Sequence, residues 1–266
     1  MKIIDAHCHI HKPEWVKNHS KNDFLIEKFN CISSEKEIVT NMVEANIDKT
    51  IIFPMPSIEV NLEAANLYTM NVSKLYSEKF IPFTIIDQQP EKWLDLGVKG
   101  FKEHTFGQRI HKDKFGKDIF SQKFKDTYKF MEQKSLPLLL HAGANRIERI
   151  KNDILKDTPN LKIILAHLGA DFLQKNGHVA GKIQVLKTLE QLKGYSNIFY
   201  DITAIVNLEI IKGAIEIVGI DKLIFGSDFP YEKPIKTLER INELSLTDDQ
   251  KEKIFYKNIL NVIEER

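Results

Sequence analysis

The sequence predicts an α/β fold: a closed (β/α)8 TIM barrel formed by one domain over residues 1–266. Three observations predict it. Short apolar runs rich in β-branched residues recur along the chain, and there are eight of them. Each is followed by an amphipathic segment, so successive strands are expected to lie parallel and joined by right-handed crossovers. The chain has 266 residues, and barrels of this kind typically run to about 250.

The runs are Lys2–Ile4, Thr50–Phe53, Ile81–Ile86, Val98–Phe101, Leu136–Leu140, Lys162–Ala166, Asn197–Tyr200 and Lys222–Phe225. The segments between them read as helices. Ser34–Asn46 opens with Ser34 and Glu37 in a capping-box pattern. Asn61–Lys79 sets Leu62, Ala65, Leu75 and Tyr76 among polar residues, and the short Pro90–Leu96 stops before Gly97. Asp118–Lys134 carries Phe120, Phe124, Tyr128 and Met131 as one apolar stripe. Arg146–Lys156, Val179–Leu192 and Leu208–Val218 follow, then Pro234–Leu244 and Asp248–Ile263, the last opened by a Thr247/Gln250 capping box. The long irregular stretch His104–Lys117 is expected to be the loop after strand four, where a long loop is often functional.

Composition narrows the function classes. Apolar residues at 42% and charged residues at 28% describe an ordinary globular protein with ample core. A net charge of +1 with dispersed lysines argues against nucleic acid as a partner. No apolar run approaches a membrane span, and no charged-then-apolar leader opens the chain. The two cysteines, Cys8 and Cys31, make no disulfide framework. A cytoplasmic protein acting on a small molecule is expected, with no membrane partner; a homo-oligomer stays open.

Chemistry gathers at the strand ends. Asp5-Ala6-His7-Cys8-His9 follows the first run, and strand alternation puts residues 5, 7 and 9 on one face and 6 and 8 on the other. Two imidazoles two residues apart suit a borderline metal such as Zn²⁺. Strand five ends in His141, strand six in His167 and strand eight in Asp228. Singly, each reads as a core histidine or a helix cap. Together they lie just past apolar runs that a barrel brings to one rim, and closure returns strand eight beside strand one.

At this point the sequence resembles the amidohydrolase superfamily, within it the amidohydrolase-related branch of aminocarboxymuconate semialdehyde decarboxylase-like enzymes and lactone hydrolases. The matching words are Asp-Ala-His-Cys-His at 5–9, Gly-Phe-Lys-Glu-His at 100–104, Leu-Leu-Leu-His at 138–141, Ile-Leu-Ala-His-Leu-Gly at 164–169 and Phe-Gly-Ser-Asp-Phe-Pro at 225–230. The tail Lys-Ile-Phe-Tyr-Lys-Asn-Ile-Leu at 253–260 is also similar. The resemblance implies that His7, His9 and His141 bind one divalent metal, usually Zn²⁺, with Asp228 as a further ligand or catalytic base. It places His167 nearby, holding a second ion or polarising the substrate. Three imidazoles leave zinc an open position for water, and its charge lowers that water's pKa. A carboxylate within hydrogen-bond reach can then move the proton.

In strand four, Val98, Gly100, Lys102 and His104 share one parity, Phe101 and Glu103 the other. With Phe101 packed outward, Lys102 turns inward. Lys102 and His104 are therefore read as substrate contacts. A carbamylated Lys102 bridging two metals, as in binuclear relatives, is the alternative; Glu103 as a ligand needs the opposite register. Cys8 reads as a small buried hydrophobe, His11 as a solvent-facing loop residue, and Asp201, at the end of strand seven, as a cap or as support behind a ligand. His19, His111 and His178 fall in loops without matching words. Arg109 and Arg146 are candidate carboxylate contacts by placement.

The leading expectation is a metal-dependent hydrolase of a small amide, ester or lactone. The alternative is non-oxidative decarboxylation of a small unsaturated or aromatic carboxylic acid by the same ligands. A barrel that binds without turnover is a third reading, against which Asp228 argues.

Overall fold

The computed structural model describes residues 1–18, 32–55, 60–105, 118–170 and 181–264. Eight parallel strands pair in chain order. They are β1 (Ile4–Ile10), β2 (Lys49–Pro54), β3 (Phe80–Ile85), β4 (Gly100–His104), β5 (Leu138–His141), β6 (Ile163–Leu165), β7 (Ile198–Asp201) and β8 (Leu223–Ile224). The barrel closes between its last and first strands. Ala6 N donates to Phe225 O at 3.0 Å, Asp228 N to His7 O at 2.8 Å and His9 N to Phe229 O at 2.8 Å. No helix among the described residues is long and apolar enough to cross a membrane.

Two apolar layers follow from the two faces of the strands. Ile4, Ala6, Ile51, Phe53, Phe83, Leu139, Ile164, Phe199 and Ile224 fill the barrel, and Ile259 and Val262 join them from the C-terminal helix Asn258–Ile263. The outer layer, which includes Ile52, Phe101, Leu138, Leu140 and Tyr200, packs beneath the surrounding helices. Gly100 has a specific reason: a Cβ there would fall 2.4 Å from the Phe83 ring that plugs the interior.

β1 departs from the expected element in two respects. It is not the stub Lys2–Ile4 but runs through the whole polar motif, all seven of its residues buried. Its pairing with β2 slips between Asp5 and Cys8, where one extra residue is accommodated. Ile4 and Ala6 therefore face the interior, whereas Cys8 and Ile10 belong to the outer layer. Asp5 does not share a face with His7 and His9, as strict alternation requires. The slip turns both imidazoles inward and leaves Asp5 beside the turn after β8.

The helical segments are shorter or more broken than the sequence pattern suggests. The 118–134 segment begins with turns, and only Lys125–Gln133 is α-helical. Helix Ile147–Arg149 passes into a π-helical stretch, Ile150–Leu155, and the closing helix has a similar insert at Lys253–Lys257. Both expected capping boxes are present, at Ser34/Glu37 and Thr247/Gln250.

Candidate metal centre

At the C-terminal mouth, His7 and His9 project from β1, and Asp228 comes over them from the turn after β8. Their rings stand 5.3 Å apart, each with its edge or face against Phe53 at 5.1 and 4.8 Å. Asp228 holds a left-handed backbone, φ 64°, a strained conformation of the kind that clusters at functional sites. Its Oδ1 lies 3.2 Å from His7 Nε2 and 3.1 Å from His9 Nε2. Ligand atoms of these residues all fall within 4.8 Å of one another, and all three residues are buried. Atoms about 2.0–2.2 Å from a tetrahedral ion stand roughly 3.3 Å apart, which is close to this spacing. His7 Nε2 is near the carboxylate yet makes no hydrogen bond among the described residues. The donor set thus fits a divalent metal.

Asp201 sets the orientation of this group. It ends β7 with no exposed surface. Its Oδ2 accepts from His7 Nδ1 at 2.8 Å, and its Oδ1 accepts from His167 N at 2.8 Å, Thr203 N at 3.2 Å and Thr203 Oγ1 at 2.5 Å. A carboxylate acceptor requires the His7 proton on Nδ1, which leaves Nε2 unprotonated and able to act as a ligand. Thr203 Oγ1, having given its proton to Asp201, accepts from His167 Nδ1 at 2.6 Å. His167 Nε2 is thereby also left as an acceptor, 4.0 Å from Asp228 Oδ2. His9 has no such backing: its Nδ1 finds no hydrogen-bond partner among the described residues.

His141 and His104 continue the line of imidazoles. His167 lies 5.3 Å from His7 and 4.4 Å from His141, and His141 lies 4.1 Å from His104. The tight group of ligand atoms comprises His7, His9 and Asp228; His141 stands outside it, against His167. His167 and Leu168 both take left-handed backbones, φ 54° and 57°. Lys102 points inward, as the parity of β4 predicts. It is fully buried, with Nζ 5.2 Å from the centre of the Phe53 ring.

Burial favours the neutral, ligand-competent form of four of the imidazoles, and His7 is the exception. Burial lowers His9 to about 4 and pushes His104, His141 and His167 down as well. For His7, burial and Lys102 act downward, but Asp201 and Asp228 outweigh them and raise it. A cation answers the same demand. Burial opposes ionisation of both carboxylates, yet His7 holds Asp201 at about 2 and, with His167, keeps Asp228 well below the usual range. Burial lowers Lys102 to about 8.

Cys8 is buried in the outer layer, as expected. His11 is not solvent-facing: it is buried, donates from Nδ1 to Lys12 O at 2.8 Å and accepts from Ser33 N at 3.2 Å on Nε2. Asp5, to which the sequence pattern gives no task, holds the turn after β8. Its Oδ1 accepts from Ser227 N at 2.9 Å and its Oδ2 from Ser227 Oγ at 2.6 Å. Gly226 lets the two strands approach, because a Cβ there would lie 2.7 Å from Thr203 Cγ2 and 2.9 Å from His7 Cβ. His19, Arg109, His111, His178 and most of the His104–Lys117 loop lie outside the described residues.

A family model described as Amidohydrolase matches residues 58–262, a range that begins after β1. No curated protein matches the chain. Solved structures resemble it over nearly their full lengths. A 2,6-dihydroxybenzoate decarboxylase from Rhizobium has a TM-score of 0.75 at 14% identity, covering 99% of both chains. A dihydroxybenzoic acid decarboxylase from Polaromonas sp. JS666, with bound manganese and the inhibitor 2-nitroresorcinol, has 0.73 at 14%, covering 99% of this chain and 97% of that one. A proposed 2-pyrone-4,6-dicarboxylic acid hydrolase from Pseudomonas putida has 0.73 at 11%, covering 98% and 97%. At these identities the likeness establishes the fold.

Proposed function

The chain belongs to the amidohydrolase family, and from that premise we propose that it is a metal-dependent hydrolase of a small molecule with an amide, ester or lactone bond. The observation that carries this reading is Asp228 Oδ1 poised 3.2 and 3.1 Å from the Nε2 atoms of His7 and His9. His7, His9 and Asp228 would hold one divalent ion, with His141 completing the set; zinc suits the imidazole donors, and a structural neighbour carries manganese. Such an ion supplies a Lewis acid for the carbonyl under attack and acidifies a water.

The remaining work belongs to the chain. Asp201 fixes His7 with its proton on Nδ1, so the ligating nitrogen needs no tautomeric change on loading. Asp228 is ionised well below neutrality, so it can accept the attacking water's proton and return it to the leaving group. His167 offers Nε2 as an acceptor 4.0 Å from Asp228 Oδ2, a second station for that proton. Lys102 and His104 are assigned to the substrate.

Decarboxylation of a small unsaturated or aromatic acid is the second reading, favoured by the buried Lys102 ammonium beside the site. Metal-loaded protein offered lactones, esters, amides and aromatic acids in ¹⁸O-water separates the two. Hydrolysis puts ¹⁸O into the product without release of CO₂. Turnover confined to the acids, with CO₂ evolved, would overturn the hydrolase reading.

A further inference from the structure

Lys102 is a buried cation to which the proposed chemistry gives a substrate contact but no defined partner. Its Nζ has no hydrogen-bond partner among the described residues, and the side chain is fully buried. An ammonium removed from water without a partner is among the most costly groups a fold can hold. The face of Phe53, 5.2 Å away, returns only part of that cost. Asp201 and Asp228 act on Lys102 through their charge, but neither accepts a hydrogen bond from its Nζ; Asp201 is engaged by His7, His167 and Thr203, and Asp228 Oδ1 by His9. A methionine would fill the same volume without the cost, and a divalent cation at His7 and His9 makes a second positive charge nearby dearer still.

We infer that Lys102 is the seat of an anionic group of the substrate, a carboxylate held over Phe53 beside the metal centre. The inference rests on the catalytic reading of the site and names its substrate class: a small acid whose reacting carbonyl lies a few bonds from a free carboxylate. The placement follows from Phe53, whose ring packs against both His7 and His9 and lies 5.2 Å from Lys102 Nζ. An anion there joins two cationic groups that otherwise repel, and it satisfies donors that the free chain leaves bare.

The test uses metal-loaded wild type, Lys102→Met and Lys102→Gln, with acetate as the probe, acetamide as its neutral control and ionic strength held constant. Both variants should melt a few degrees above wild type without ligand, because each removes an unpartnered buried charge. Acetate should bind wild type at least about tenfold more tightly than either variant, and acetamide should not discriminate among them. Equal acetate affinity in wild type and both variants would overturn the proposal. So would a ¹³C carbamate signal from Lys102 after incubation with ¹³C-bicarbonate, since the lysine would then carry its anion covalently. Metal content measured on the same samples separates the two readings. Lys102-dependent acetate binding without metal refutes the hydrolase reading alone; full metal with Lys102-independent acetate binding refutes this one alone.

Discussion

Replacing Asp201 by Asn perturbs the metal centre without touching a ligand. The Asp201 carboxylate is fully buried and accepts from His7 Nδ1 through Oδ2 and from His167 N, Thr203 N and Thr203 Oγ1 through Oδ1. Asn retains one oxygen, which the three donors on the Oδ1 side will claim. Its NH₂ then faces His7 Nδ1. Two N–H groups cannot face each other, so the His7 proton moves to Nε2, the atom meant for the metal. Loss of such a supporting carboxylate typically costs about 10- to 100-fold in metal affinity, which is about 1.4–2.7 kcal/mol. The loss of Coulomb attraction to His7, a cause of that histidine's raised pKa, acts in the same direction. Zinc affinity by competition with a chromophoric chelator measures the effect, and long-range ¹H–¹⁵N spectra of the imidazoles identify the tautomer. Affinity within about twofold of wild type, with His7 still protonated on Nδ1, would refute the reasoning.

Three further outcomes are expected. Asp228→Asn should lose about 10² to 10⁴ in turnover, chiefly in kcat, while keeping most of its metal on the histidines; turnover within a fewfold of wild type on a substrate found by screening removes Asp228 as the base. Gly226→Ala places a methyl 2.7 Å from Thr203 Cγ2 and 2.9 Å from His7 Cβ. It should cost about 1–3 kcal/mol in denaturant unfolding and loosen the metal by displacing β1; unchanged stability and affinity would mean the strands can part freely. Replacing His7 and His9 together by Ala should abolish metal retention and leave the far-UV spectrum of the barrel intact, because the interior is filled by other side chains. Full metal occupancy in that variant would show that β1 has been misread.

The barrel was legible because its signal is repeated. Eight β-branched runs, each followed by an amphipathic segment, leave little choice of topology, and errors of one or two residues at any strand do not alter it. β1 was the exception in extent. Asp5, His7 and His9 read as the end of a strand because polar residues usually mark one, yet here they are strand residues, each with a side-chain partner on a later element: Ser227, Asp201 and Asp228 respectively. The slip between Asp5 and Cys8 was also invisible, since strict alternation assumes no extra residue. His7, His9 and Asp228 were expected together because each stands just past an apolar run on the same rim, and the structure brings their ligand atoms within 4.8 Å of one another. Asp201 was undervalued. Alone it resembles a helix cap, and its importance comes from donors at positions 7, 167 and 203 that only the closed fold brings to it. The broken helices at 150–155 and 253–257 preserve the apolar stripe that periodicity detects, so the π-helical inserts leave no mark in the sequence.

The central claim is that His7, His9 and Asp228 hold a divalent ion at the barrel mouth. Anomalous diffraction at the zinc edge from zinc-reconstituted crystals tests it most directly. One peak per chain is predicted, about 2.0–2.2 Å from His7 Nε2, His9 Nε2 and an Asp228 oxygen, with His141 turned toward it. A peak elsewhere in the chain, or none after reconstitution with any divalent transition metal, would contradict the account.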